Sequence, residues 1–213
     1  MLANRMQIAA SAVNGAGLRF IGEETRGGST PVPFPAGTQE GDYLVFCRPN
    51  HLITPQVGGS NMATISTRDA NGYGVAIYGA VLNASAISTG EVSTGGGAFV
   101  YRAANATFTS HDGGTDRAIT ATVTLDLTAY SYDHYITVGA AVIDESVGSS
   151  PSFSSIVQTP SFDETSTLLT VKGGAGAAQY SSDDVPTSVQ TVVTIGGGTR
   201  GILVTGLIGV TLS

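Results

Sequence analysis

The chain is poor in charge and almost empty of lysine. Charged residues make up 12% of its 213 positions, about half the usual share for a soluble protein. Lys172 is its one lysine, and Arg5, Arg19, Arg26, Arg48, Arg68, Arg102, Arg117 and Arg200 are scattered along it. A phosphate backbone is bound by clustered cations, and no window supplies them, so no direct nucleic-acid contact is expected. The lone cysteine, Cys47, excludes an intrachain disulfide and sits in an apolar run, where a thiol acts as a small core hydrophobe. Tryptophan is absent, which removes the most effective sugar-stacking platform and leaves tyrosines for that task. No window holds 18 uninterrupted apolar residues, so no membrane span is expected. The opening MLANRMQIAASAVNGAG has one early cation and no leucine-rich core; it is expected to be mature protein without an export signal. Asn83-Ala84-Ser85 and Asn105-Ala106-Thr107 match the glycosylation pattern and, without export, indicate only surface loops.

Hydrophobic residues reach 41%, enough to fill a core, and glycine reaches 29 residues. A surface of Ser, Thr, Asn and Gly instead of Lys and Glu suits a molecule whose faces are covered by neighbours. No segment has helical periodicity, whereas short apolar runs bounded by turn residues recur throughout. Pro31, Pro33 and Pro35 hold an extended approach, Gly37 and Gly41 bracket a polar turn, and Tyr43 to Cys47 reads as a buried strand. Asn71-Gly72 signals a two-residue hairpin turn before the apolar strand Tyr73 to Leu82. Glycines at Gly74 and Gly79 inside that strand suggest a bulge or close approach by a neighbouring sheet. Ala118 to Thr128 alternates with period two, the pattern of a half-exposed strand. Tyr135 to Ile143 is a further central strand, and Val189 to Leu212 reads as a closing hairpin around Gly196-Gly197-Gly198. Loops are expected at Ala84 to Gly97, Asn105 to Arg117 and Gly173 to Pro186.

These elements predict an all-β fold, an antiparallel β-sandwich of jelly-roll type with long Gly/Ser/Thr-rich loops. Residues 1–17 are expected as an N-terminal arm or edge strand and 18–213 as a single sandwich domain.

Few residues suggest chemistry. Gly196, Gly198 and Gly201 fit a dinucleotide-binding glycine pattern, but a strand follows where that motif needs a helix, so a turn is the better reading. His111, Asp112 and Asp116, or Asp133 and His134, could bind a metal or serve as acid and base; their glycine-rich surroundings favour solvated turns. Asp163, Glu164, Asp183 and Asp184 lack the spacing of a calcium loop. No metal, cofactor or catalytic group is therefore expected. The best candidate patch is the polar-aromatic cluster Tyr130, Tyr132, Asp133, His134 and Tyr135, which reads as a sheet-edge or subunit contact, or as a glycan platform.

The stretch Pro33 to Phe46, PFPAGTQEGDYLVF, resembles a group of tailed-bacteriophage virion proteins that carry an lPaGtq-GDlLv-like motif opening a core strand. An aromatic-Arg strand end (here Tyr101-Arg102), a later apolar strand (Tyr135 to Ile143) and a C-terminal β-hairpin around Gly198 to Ile202 extend the resemblance; the tryptophan of many relatives is missing. The resemblance implies a β-sandwich serving as capsid decoration, tail adaptor or tail fibre. It leads us to expect a non-enzymatic virion component made in the bacterial host cytoplasm. Its expected partners are itself, as a homotrimer, and other virion proteins, through the arm around Met1 to Ile8 and the loops Ser85 to Gly97 and Gly173 to Asp184. The alternative expectation is a receptor-binding module for host cell-surface glycan.

Overall fold

A computed structural model describes residues 17–49, 53–70, 72–144, 153–163, 167–170 and 172–213. The first part of the chain forms β1 (Arg19–Arg26), β2 (Val32–Pro33), β3 (Tyr43–Pro49), β4 (Gln56–Val57), β5 (Ser60–Asn61), β6 (Ala63–Ala70) and β7 (Tyr73–Val81). A short helix α1 (Ala84–Thr89), β8 (Glu91–Val92) and β9 (Gly96–Arg102) complete it. The second part forms β10 (Ala106–Ala118), β11 (Thr120–Asp126), β12 (His134–Ile143), β13 (Phe153–Thr159), β14 (Thr167–Thr170) and β15 (Gly173–Ser181). It ends with β16 (Ser188–Ile195), a 3₁₀ turn (Gly196–Gly198) and β17 (Gly201–Leu212). The protein is all-β, and its described ladders are antiparallel.

The strands build four layers. Two five-stranded sheets, β1-β9-β3-β7-β6 and β10-β17-β12-β15-β14, face each other at the centre. Tyr43, Val45, Phe99 and Tyr101 of one interdigitate with Ile136, Val138, Ile202 and Val204 of the other. The small sheet β2-β8-β4-β5 covers the outer face of the first, over Leu44, Phe46, Ala98 and Val100. The three-stranded sheet β11-β16-β13 covers the second, over Ala141, Ile143, Leu203 and Leu207. This layering explains the sequence patterns. A strand covered on both faces reads as a continuous apolar run, and β3 is buried at all seven positions. β11 lies in an outer layer and alternates exposed and buried residues from end to end.

Strands of each central sheet and its cover interleave along the chain, as a jelly roll requires: β1-β9-β3-β7 lies against β2-β8-β4-β5, and β10-β17-β12-β15 against β11-β16-β13. Several expectations are corrected. The closing hairpin is absent, because β16 pairs with β11 and β13 while β17 pairs with β10 and β12. The glycine turn between them steps from one layer to the next. The expected loop Asn105 to Arg117 is β10, whose Asp112-Gly113-Gly114 segment forms a bulge rather than a chain reversal. The glycines there serve close packing, since a Cβ on Gly113 would lie 2.6 Å from a Leu125 methyl. The expected loop at Gly173 is β15, seated between β12 and β14. Its small residues leave room for the Phe162 ring, which a Cβ on Gly176 would approach to 2.9 Å. Within Ala84 to Gly97 the chain forms α1, capped by the Asn83 side chain and by left-handed Gly90. One and a half turns are too few to print a helical period. The Asn71-Gly72 hairpin is present: Ala70 faces Tyr73, and Gly72 has φ +80°, while Asn71 lies outside the described residues. The N-terminal arm, 1–16, also lies outside them.

Candidate functional site

Two loops carry the residues singled out above. The first enters β3. Gly37 and Gly41 both take φ +88°, a left-handed conformation natural to glycine and costly for most other residues. Thr38 donates its N–H (3.2 Å) and its hydroxyl (2.6 Å) to the Pro35 carbonyl. Asp42 is 1% exposed and holds the rest of the loop. Its Oδ2 accepts from the Gln39 N–H at 2.8 Å. Arg102, at the end of β9, donates Nε to Asp42 Oδ1 (2.6 Å) and a terminal nitrogen to Oδ2 (2.8 Å) and to the Gly37 carbonyl (2.8 Å). The hydrogen bond to Asp42 holds the guanidinium above its ordinary pKa. The Gly-Asp of the motif and the aromatic-Arg strand end thus meet in a bidentate pair.

The second loop enters β12 and carries the aromatic patch. The His111 ring, from β10, lies 4.6 Å from Tyr130 and 5.8 Å from Tyr132, centroid to centroid. Tyr130 and Tyr132 stack at 6.3 Å, and Tyr132 meets Tyr135 edge-on at 5.8 Å. His111 Nε2 and Tyr132 Oη share a 2.6 Å hydrogen bond. Tyr135 Oη accepts from the Tyr132 N–H (3.0 Å) and donates to the Tyr130 carbonyl (3.1 Å). Tyr132 lies directly over Gly209, where any Cβ would collide with its ring. Tyr135 is buried, whereas Tyr130 and Tyr132 are half-buried.

The structure gathers Tyr130, Tyr132 and Tyr135 as the sequence suggests, and replaces one member. His134 begins β12 on the face shared with Ile136, turned toward the other central sheet, because alternate strand residues point to opposite faces. Asp133 accepts a 2.8 Å hydrogen bond from the Leu212 N–H, tying the loop to the end of β17. His111 takes the ring position next to the tyrosines. The sequence hid it, since His-Asp-Gly-Gly reads as a turn and only strand pairing places it there.

The other candidates resolve into structural roles. Asp112 accepts from the Gly114 N–H at 3.0 Å, and Asp116 accepts from the N–H groups of Arg117 and Thr122 at 2.7 Å each. Asp163 accepts from the Gln179 N–H at 2.9 Å, Asp184 accepts from the Ser181 hydroxyl at 3.3 Å, and Glu164 lies outside the described residues. Among the described residues no group of three His, Cys, Asp or Glu side chains converges as a metal ion would require. Burial pushes the Cys47 thiol far above its ordinary pKa, which leaves it inert. Three further arginines are engaged within the chain. Arg117 pairs with buried Asp144 at 2.6 Å, Arg68 donates to Thr115 at 3.0 Å, and buried Arg48 donates to Thr94 and to the Gly95 carbonyl. No helix among the described residues is long and apolar enough to cross a membrane. No family model, curated protein or solved structure matches the chain.

Proposed function

We propose that this protein is a non-enzymatic structural component of a tailed-phage virion, as capsid decoration, tail adaptor or tail fibre. It acts by self-association and by docking on other virion proteins. The observation that carries this reading is the pair Asp42–Arg102: the motif's buried aspartate and the strand-end arginine bind each other to hold a loop and two strand ends, instead of facing a substrate. Four stacked layers with apolar interfaces make a stiff body, and a surface poor in charge is suited to coverage by neighbours. A homotrimer is the assembly proposed. Light scattering on the purified protein should give three times the chain mass, and purified particles of an encoding phage should contain the chain in a fixed ratio to the major capsid protein. Particles without it would overturn the reading.

The half-buried rings of Tyr130 and Tyr132 favour a second reading, recognition of host surface glycan. Binding on a glycan array that is lost in both Tyr130→Ala and Tyr132→Ala, with folding retained in at least the first, would support it. Silence of the wild-type protein on the array would remove it.

A further inference from the structure

We infer that the chain is a tandem duplication: residues 17–104 and 105–213 are two copies of one unit, and the inner sheet face of each is an interaction surface built for a second copy. This goes beyond the proposed virion role and does not depend on it. Several features coincide. In its own chain order each central sheet runs first, last, second, fourth, third: β1-β9-β3-β7-β6 and β10-β17-β12-β15-β14. The covering strands leave the central sheets at the same three points. In both units the last of them lies between two others, β8 between β2 and β4, and β16 between β11 and β13, and the first unit adds β5 beyond β4.

The registers coincide as well. Phe20, Tyr101, Tyr43 and Val81 form one row across four strands of the first unit, and Phe108, Val210, His134 and Ser181 form the same row in the second. Ala70 faces Tyr73 and Thr170 faces Gly173, so the third central strand meets the fourth at the same spacing in both units. Even single hydrogen bonds recur. The Leu82 N–H donates to the Asp42 carbonyl at 2.8 Å, and the Ser182 N–H to the Asp133 carbonyl at 2.9 Å. Thr38 to Pro35 and Tyr130 to Leu127 are both 3.2 Å turns. The motif loop and the aromatic patch are therefore one element in two copies.

Part of the packing between units is reciprocal, as at a twofold interface, while β6 also meets β10 and β7 also meets β17. The third strand meets the last in both directions (β6 with β17, β14 with β9), and the fourth meets the second (β7 with β12, β15 with β3). The two second strands, β3 and β12, meet each other, where a twofold axis would pass. The described ladders all stay inside one unit, so the junction is made by side chains. Those side chains have diverged in complementary fashion: Tyr43, Phe99 and Tyr101 supply bulk on one face, and Ala140, Ala175 and Ala177 supply space on the other.

The equivalence sets a sharp test. Phe20 matches Phe108, so Gly17 stands where Asn105 stands; Tyr101 matches Val210, so Ser213 stands where Ala104 stands. A rearranged chain ordered 1–16, 105–213, 17–104 keeps every residue and needs no linker at either joint. We expect it to fold to the same β-rich circular-dichroism spectrum, with a melting midpoint within about 5 °C of the wild type. A second version carries a flexible linker of about ten residues at the Ser213–Gly17 joint. Folding of the linked version alone would overturn the twofold equivalence, and failure of both would overturn the separateness of the two units.

Discussion

Residues 35–42 and 127–133 occupy equivalent places at the entries to β3 and β12, yet they are held by opposite chemistry. The first loop uses two left-handed glycines and a buried carboxylate clamped by Arg102. The second has no glycine, ties its carboxylate to a backbone N–H, and fills the space with stacked tyrosines and His111. The backbone task is common to both: turn the chain and deliver an apolar strand to the centre of a doubly covered sheet. What differs is the surface left over. The first loop ends as a compact polar turn, and the second as a ring-lined patch.

Substitutions can break or sharpen this comparison. The largest effect is expected between the units, where Phe99 of the first and Ile208 of the second are both fully buried. Phe99→Ala should lower unfolding free energy by about 4 kcal/mol and Ile208→Ala by about 3, read from urea denaturation. Equal losses would remove the assignment of bulk to the first unit. Next come the two loop carboxylates. Asp42→Ala leaves Arg102 without its partner and should cost about 3 kcal/mol. Asp133→Ala deletes one exposed hydrogen bond and should cost about 1 kcal/mol. Reversal of that order would contradict the contrast between clamp and patch.

Tyr132→Phe removes only the hydroxyl bonded to His111 and should cost about 1 kcal/mol, with the ring stack preserved in the near-ultraviolet spectrum. The smallest change concerns Glu23, which pairs with Phe99 as Ser110 pairs with Ile208. Burial first, and Glu24 second, raise its carboxyl above the usual value of 4.5. The folded state therefore holds that proton more tightly than the unfolded chain, and its stabilising contribution fades as pH climbs above about 4.5. Glu23→Gln should raise the melting point at neutral pH and leave it unchanged below that range. A gain that persists at acid pH would assign the effect to packing instead.

The comparison also explains what the sequence could convey. β3, β12 and β17 are legible because a strand buried on both faces must be apolar throughout, and β11 because one solvent face imposes alternation. β10 and β15 are hidden for a shared reason. Their glycines accommodate Leu125, Thr205, Phe162 and Pro49 at close range, but in one dimension the same residues spell turns. Sheet membership is hidden too. Val189 to Ile195 and Gly201 to Leu212 are adjacent strands with a turn between, and only the layer each one packs against separates them. His111 joins the patch through the pairing of β10 with β17, which no local pattern records. The relation between the two loops is invisible for the same reason, since register and topology are kept while almost every side chain differs.

The central functional claim is that the protein is a stiff, neighbour-covered body within a virion. Quantitative mass spectrometry of purified particles from a phage encoding it tests that claim most directly. The account predicts a constant copy number per particle, in multiples of three, retained through high-salt washing. Recovery of the chain only in the soluble lysate, with complete and infectious particles lacking it, would contradict the account.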